Sequence, residues 1–213
     1  MKNNKQILFI IVFFITTSSI YGQLGLKAGV NLASEVNSLS QLASDIKSQQ
    51  FTGYQIGLVY QAMPKKSGLG VEIGALISQK GSTFKIDSIN VGDIFNEGYR
   101  ELNYLEVPLN LRYRLSVGFI GIYGFAGVYG GYALSGNTVS ETQNSTTPET
   151  FQNFMERVDY GYNFGVGIEL FKKIQLGGTI SQGIKSTTLS STSLPQFTTT
   201  TNKVLSVNLV YMF

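Results

Sequence analysis

The chain of 213 residues contains no histidine, no cysteine and no tryptophan. Without His it lacks the commonest general base and metal ligand at neutral pH. Without Cys it has no disulfide framework, no thiolate chemistry and no Cys-rich metal site. Charge is scarce as well: Asp, Glu, Lys and Arg together make up 14% of the chain, against about 25% in an ordinary soluble domain. The net charge of +3 is not gathered into a basic patch, so no nucleic-acid partner is expected. Proline is rare, at 4 residues, whereas glycine reaches 24 and aromatic residues 12%. These absences exclude most catalytic chemistry and leave a charge-poor, glycine-rich chain to be explained.

Long hydrophobic runs are missing too. The longest, Ile7 to Ile15, follows Lys2 and Lys5 and precedes the small polar stretch Thr16 to Ser19. That order is the pattern of a cleaved secretory signal, residues 1–22, with the cut expected after Gly22. The run is too short to cross a bilayer as a helix. Removing it deletes Lys2 and Lys5 and takes the net charge from +3 to +1. Residues 23–213 form the mature chain, expected outside the cytoplasm.

What is present in that chain is alternation with a period of two. Leu24, Leu26, Ala28, Val30 and Leu32 alternate with Gly25, Lys27, Gly29 and Asn31. Comparable segments run through Tyr54–Tyr60, Leu69–Ser78, Leu105–Arg114, Asp159–Leu170, Ile174–Lys185 and Leu205–Phe213, and Phe119–Leu134 is apolar on both faces. These give eight strands. Short links, Pro64–Gly68, Ser116–Gly118 and Lys172–Lys173, are interleaved with long polar ones, Ser34–Gln50, Gly81–Gly98, Ser135–Glu156 and Ser186–Asn202. The expected fold is all-β: an eight-stranded antiparallel up-and-down transmembrane β-barrel in the outer membrane, with short periplasmic turns, long outer loops and periplasmic termini.

Alternation alone leaves open which face is solvated. In a soluble lipocalin-like carrier the apolar set would line a ligand cavity. Here the polar set holds Gly53, Gly57, Gly70, Gly74, Gly161, Gly165, Gly167 and Gly177. Glycine weakens a convex solvated strand but suits a crowded concave one. Lipid therefore fits the apolar face, with Tyr54, Tyr60, Tyr113, Tyr132, Tyr160, Tyr162, Tyr211 and Phe213 toward the strand ends as aromatic girdles.

Depth counted from the short links places Lys27, Glu72, Arg112 and Glu169 in one layer of the lumen, and Glu106 belongs to the same polar set. Eight strands enclose room only for side chains. An ion-pair cluster of Lys27, Glu72, Arg112, Glu169 and Glu106 that plugs the lumen is therefore expected, with a proton or ion relay as the alternative use of the same residues. Pro108 falls on the lumen side of the fourth strand, where a missing ladder donor suggests a bulge.

Other motifs fail on context. Ser82-Thr83-Phe84-Lys85 and Lys66-Ser67-Gly68 match fragments of serine β-lactamase boxes. They come in the wrong order, fall in expected turns or loops, and lack the helix that the nucleophile requires. Asp87, Asp93 and Glu97 do not have the spacing of a calcium loop. No catalytic residue, cofactor or metal site is expected.

Four stretches in order carry a resemblance. They are Gly25-Leu26-Lys27-Ala28-Gly29-Val30-Asn31-Leu32, Ser78-Gln79-Lys80-Gly81, Asn103-Tyr104-Leu105-Glu106-Val107-Pro108-Leu109 and Val207-Asn208-Leu209-Val210-Tyr211-Met212-Phe213. Together they resemble the PorT-like outer-membrane β-barrel family of Bacteroidetes across the mature chain. The resemblance implies an eight-stranded outer-membrane barrel; some relatives are linked to type IX secretion, and the family brings no catalytic residues. Phe213, with Tyr211 and Leu209 on the same face, resembles the signal read by the barrel-assembly machinery, and such an edge strand can pair by strand addition. The expected role is a non-enzymatic anchor or envelope-interaction protein in outer-membrane lipid. The alternatives are a component of a type IX-like secretion or envelope assembly, a narrow solute channel and, most remotely, a soluble lipocalin-like carrier.

Overall fold

The computed structural model describes residues 20–37, 46–64, 68–86, 97–140, 145–148, 154–184, 187–188 and 199–213. Among them are ten strands and one short helix: β1 (Ile20–Asn37), β2 (Ile46–Pro64), β3 (Leu69–Ile86), β4 (Glu97–Val117), β5 (Ile120–Ser140), β6 (Ser145–Pro148), α1 (Phe154–Arg157), β7 (Val158–Leu170), β8 (Ile174–Gly183), β9 (Thr187–Thr188) and β10 (Thr199–Met212). Eight of the strands make a closed antiparallel barrel in the order β1-β2-β3-β4-β5-β7-β8-β10, and β10 pairs back onto β1 from Gly25↔Met212 to Asn37↔Thr200. β6 extends the hairpin of β5, and β9 pairs with the start of β10. Closure leaves no free edge, so every long strand has two neighbours. Residues 1–19 of the expected leader lie outside the described residues, whereas Ile20, Tyr21 and Gly22 belong to β1, whose pairing begins at Ile20↔Pro64.

Two of the short links are tight turns. Gly118 takes a positive φ of 64° between β4 and β5, while Phe171 and Lys172 take φ values of 54° and 59° between β7 and β8. The two turns are tied together: the Phe171 N–H donates to the Phe119 carbonyl at 2.7 Å, and the two rings stack 5.4 Å apart. At the opposite end the long links are shorter than the polar composition suggested. Strand pairing continues through Ser34–Asn37, Ile46–Gln50, Gly81–Ile86 and Ser135–Ser140, all expected as loop. The apolar–polar alternation that marks a lipid-facing strand stops where lipid stops, but backbone pairing does not. Ser82 and Lys85 accordingly stand on β3, not in a loop. Lys66, Ser67, Asp87 and Asp93 lie outside the described residues.

The outward positions are apolar around the whole barrel. Leu26, Leu58, Ile73, Leu109, Ile122, Phe164, Leu176 and Val207 are all exposed. On β3 this belt runs from Leu69 to Ile77, matching the ~9–11 residues a tilted strand needs to cross a bilayer. Beyond it the outward residues turn polar. Glu101 accepts a hydrogen bond from Gln79 at 3.2 Å and from Asn137 at 2.9 Å, forming a row across β3, β4 and β5.

The register of β5, ambiguous in sequence, is settled by its aromatics. Tyr123 and Tyr129 are buried inside, whereas Ile120, Ile122, Val128 and Leu134 face out. Pro108 does point inward, but it makes no bulge. The pairs Ile73↔Leu109 and Leu76↔Glu106 keep one register across the interruption, and the irregularities lie at Gln50/Gln55 and Asn103/Tyr104. The ring packs against Gly74, where a Cβ would stand 3.1 Å from its Cγ.

Candidate functional site: the polar lumen

Each inward face delivers its polar side chains to one enclosed space, and cross-strand pairing decides which of them meet. Near the short-turn end Gln61 pairs with Glu72, and Glu72 pairs with Asn110, placing three polar side chains in a row across β2, β3 and β4. The Glu72 carboxylate accepts from Gln61 at 2.7 Å, Asn110 at 3.2 Å and Arg112 Nη1 at 2.8 Å. Glu169 and Gln175 form the matching pair across β7 and β8. Gln175 donates to Glu169 at 2.9 Å and exchanges hydrogen bonds with Gln61 at 3.0 and 3.1 Å, so the two rows join across the lumen. Arg114 completes this first network on Glu169 at 3.1 Å. Arg112, only 1% exposed, lays its guanidinium over the Tyr123 ring at 3.6 Å. Tyr123 fits because Gly167 and Gly177 are bare; a Cβ on either would collide with the phenol.

A second network sits further along β3, toward the long-connection end. Lys80 is its single ammonium, 2.7 Å from Glu106 and 3.3 Å from Asp159. Glu106 and Asp159 flank Gly131 in the ladder, both paired to it from opposite sides. With no side chain between them, the two carboxylates converge on the same ammonium. Tyr129 and Asn202 each donate to Asp159, at 3.3 and 3.2 Å. The Lys80 ammonium also stands 4.3 Å from the centre of the Tyr129 ring and 5.3 Å from that of Tyr104. Charges in such a setting survive only when paired and hydrogen-bonded.

Between the networks the wall mixes polar side chains with apolar ones such as Leu76, Phe125 and Val210, and Lys27 is a charge within it. Asn31 reaches across Gly53 to donate to Ser78 Oγ and the Gln79 carbonyl, at 3.1 and 3.0 Å, and accepts from Ser206 at 2.8 Å. Gln55 donates to Asn208, which donates in turn to Thr179 at 2.9 Å. The lumen holds, among others, two voids of about 10 Å³ each, the scale of one water.

Of the residues singled out in sequence, the structure thus pairs Glu72 with Arg112 and links Glu169 to them through Gln175 and Gln61. Lys27 is buried among them, lining both voids, but enters none of the direct ion pairs found among the described residues. Glu106 makes its direct ion pair with Lys80 and lines one of the two voids together with Lys27. Lys80, Asp159 and Arg114 were not among the residues expected in the ion-pair cluster, although Asp159 and Arg114 fall on the polar face in sequence. Lys80 stands on the inward parity of β3 with Glu72, so its place on the strand was readable; its partners were not. Phe213, Tyr211 and Leu209 share the outward, exposed face. In the closed barrel their strand is no edge, since the Phe213 N–H donates to the Leu24 carbonyl at 2.9 Å and Met212 to that of Lys173 at 2.7 Å. No group of three or more metal-binding side chains occurs among the described residues.

Known proteins agree with this architecture. The chain is similar in structure to the outer membrane protein OprG from Pseudomonas aeruginosa, at a TM-score of 0.50 and 15% identity, over 92% of this chain and 98% of that one. It is also similar to a major outer membrane protein from Thermus thermophilus, at a TM-score of 0.47 and 12% identity, covering 90% and 99% of the two chains. A third is Ail, the attachment invasion locus protein of Yersinia pestis, solved with a heparin analogue, at a TM-score of 0.44 and 11% identity, covering 90% and 99%. At such identities the likeness is one of fold. No curated protein matches. The exposed apolar belt rules out the soluble lipocalin-like carrier, because a water-facing barrel turns that set inward. Residues 16–189 match the model of the outer membrane protein beta-barrel domain, and the chain belongs to that family, an outer-membrane β-barrel.

Proposed function

We propose that the protein is a non-catalytic outer-membrane anchor whose lumen is closed by its own polar side chains. The observation that carries this reading is the pair of internal networks, on Glu72–Arg112 and on Lys80, with voids of about 10 Å³ left between them. A hydrated ion needs a continuous polar path, and here the path is filled by groups bonded to one another. Planar-bilayer recording tests it: the purified protein should give no steady conductance, and a large steady current would overturn the plug. That current is the result the narrow-channel alternative requires.

In this reading the short turns face the periplasm, both termini of the mature chain lie there, and the leader is cut after Gly22. The strand extensions then stand outside the membrane. Phe213, with Tyr211 and Leu209, acts before closure, when β10 is still an edge that the assembly machinery can pair with. Deleting Phe213 should lower the amount of barrel in the outer membrane; unchanged levels would refute the assembly role.

A second reading, membership of a PorT-like envelope or secretion assembly, is favoured by one observation. The strands continue past the apolar belt into a polar rim that includes Gln79, Glu101 and Asn137. Such a rim serves contact with other proteins, not burial in lipid. Cross-linking in native membranes followed by purification should capture a defined set of secretion components, and a barrel recovered alone would remove this reading.

A further inference from the structure

The two ends of the barrel carry opposite charge. The lumen itself is neutral, with Lys27, Lys80, Arg112 and Arg114 set against Glu72, Glu106, Asp159 and Glu169. The short links hold Lys65, Lys66, Lys172 and Lys173 and no acidic residue. With +1 over residues 23–213, none from the lumen and +4 from the short links, the long-connection end is left with −3. Lys172 and Lys173 are exposed, and neither enters an ion pair found among the described residues. Lys65 and Lys66 lie outside the described residues and are placed here by sequence alone.

The exposed lysines stand beside the most exposed apolar residues of that end. On β4 the outward apolar column runs unbroken from Leu105 through Leu109 and Tyr113 to Val117, which is 86% exposed, and Phe119 follows in the turn. Ile120, Phe171 and Ile174 carry it across to β5, the next turn and β8, all of them exposed. Phe171 holds its positive φ of 54°, a strained conformation for any residue with a side chain. The strain is offset by the bond from its N–H to the Phe119 carbonyl and by the stacked rings. The Met212 N–H ties β10 to the same turn through the Lys173 carbonyl at 2.7 Å. The two turns thus form one tied tip that presents two rings and two ammonium groups outward. Contiguous exposed apolar surface of this kind marks a contact.

We infer that this tip is a docking surface for anionic phospholipid, with Val117, Phe119 and Phe171 against the acyl chains and Lys172 and Lys173 on the headgroup phosphates. The surface continues the apolar belt without a break, so the lipid that covers Leu111 and Ile168 reaches it. Lysine suits the boundary, because its stem lies on apolar surface while its ammonium reaches the polar layer. Basic side chains at that level are attracted to anionic headgroups. Charge alone would fit an acidic soluble protein equally well; the rings beside it and the unbroken column above it fit lipid. In the orientation read above, the leaflet concerned is the periplasmic one.

The surface deepens the reading of a membrane anchor. Bilayer recording tests the closed lumen and lipid quenching tests this surface, so either can fail alone. The chain has no tryptophan, so Phe119→Trp in the full mature protein reports on this tip alone. The barrel is reconstituted in phosphatidylcholine vesicles doped, at equal mole fraction, with phosphatidylglycerol or phosphatidylcholine brominated high on the acyl chains. Brominated phosphatidylglycerol should compete for the tip several-fold better than brominated phosphatidylcholine, and the preference should shrink in high salt. Lys172→Gln with Lys173→Gln should remove most of the preference, and Lys65→Gln with Lys66→Gln added should leave none. Leu105→Trp, at the far end of the same β4 column, should show no preference. Equal quenching by the two lipids at Phe119→Trp would overturn the surface, as would a preference undiminished in the four-lysine variant or matched at Leu105→Trp. Quenching by neither lipid would put the tip in water, assign it to a soluble acidic partner and overturn it as well.

Discussion

The two polar networks in the lumen both pair buried carboxylates with cations and differ in how the partners are shared out. At the short-turn end, Glu72 is held by an arginine and two amides, and Glu169 by an arginine and a glutamine. No single side chain there is the sole support of any carboxylate. At the other end one ammonium, Lys80, serves both Glu106 and Asp159. The first network is distributed, whereas in the second Glu106 has Lys80 as its direct partner and Asp159 has Tyr129 and Asn202 besides. Buried charge is tolerated in both, but tolerance of mutation should differ, because the cost of deletion is set by what the remaining partner has left.

Lys80→Met is the most severe way to probe this difference. It leaves two carboxylates facing each other across Gly131 without the cation they share, and should cost about 3–5 kcal/mol, read from urea unfolding in lipid vesicles. Glu106→Gln and Asp159→Asn added to the same chain should restore most of the loss. Failure of that rescue would mean Lys80 acts through packing on Tyr129 and Tyr104, not through charge. Arg112→Met should cost less, about 1–3 kcal/mol, because Gln61 and Asn110 still hold Glu72. Should it cost as much as Lys80→Met, the contrast between the two networks is wrong.

Glycine substitutions give a finer comparison. An alanine Cβ at Gly57 would run into the Ala75 carbonyl oxygen, so backbone must move; overpacking of this kind costs about 1–3 kcal/mol. At Gly131 the nearest atoms to the new Cβ are 3.4 Å away on Tyr104 and 3.7 Å away on Asp159, an ordinary fit. Gly131→Ala should therefore stay within about 0.5 kcal/mol of the parent. A larger loss there would mean that the two carboxylates need the open space itself to converge on Lys80.

Much of the fold was legible in the sequence, and the failures have physical causes. The alternation through Leu24–Leu32 or Leu205–Phe213 reads directly as a strand with one lipid face, because each strand meets lipid on one side and side chains on the other. β5 could not be read this way. Tyr123 and Tyr129 are as apolar as the lipid-facing set, and they point inward because Arg112 and Lys80 sit against their rings. The outer halves of β3, β4 and β5 were missed because outside the bilayer both faces are polar and the period of two has no contrast. Glu106 was grouped with Glu72 because both share a face of the wall, yet its partner proved to be Lys80.

The sequence by itself determined the number of long strands and, β5 apart, the face each turns to lipid, since both follow from the local two-residue pleat of the backbone. Only the tertiary structure decided which of the inward charges meet. That depends on closing the sheet with tilted, staggered strands, so residues at equal distances from their turns do not reach equal heights in the lumen. Lys27, Glu72, Arg112 and Glu169 lie at similar counts from the short links, and three of them join in one network. Lys80, Glu106 and Asp159 share a place in space.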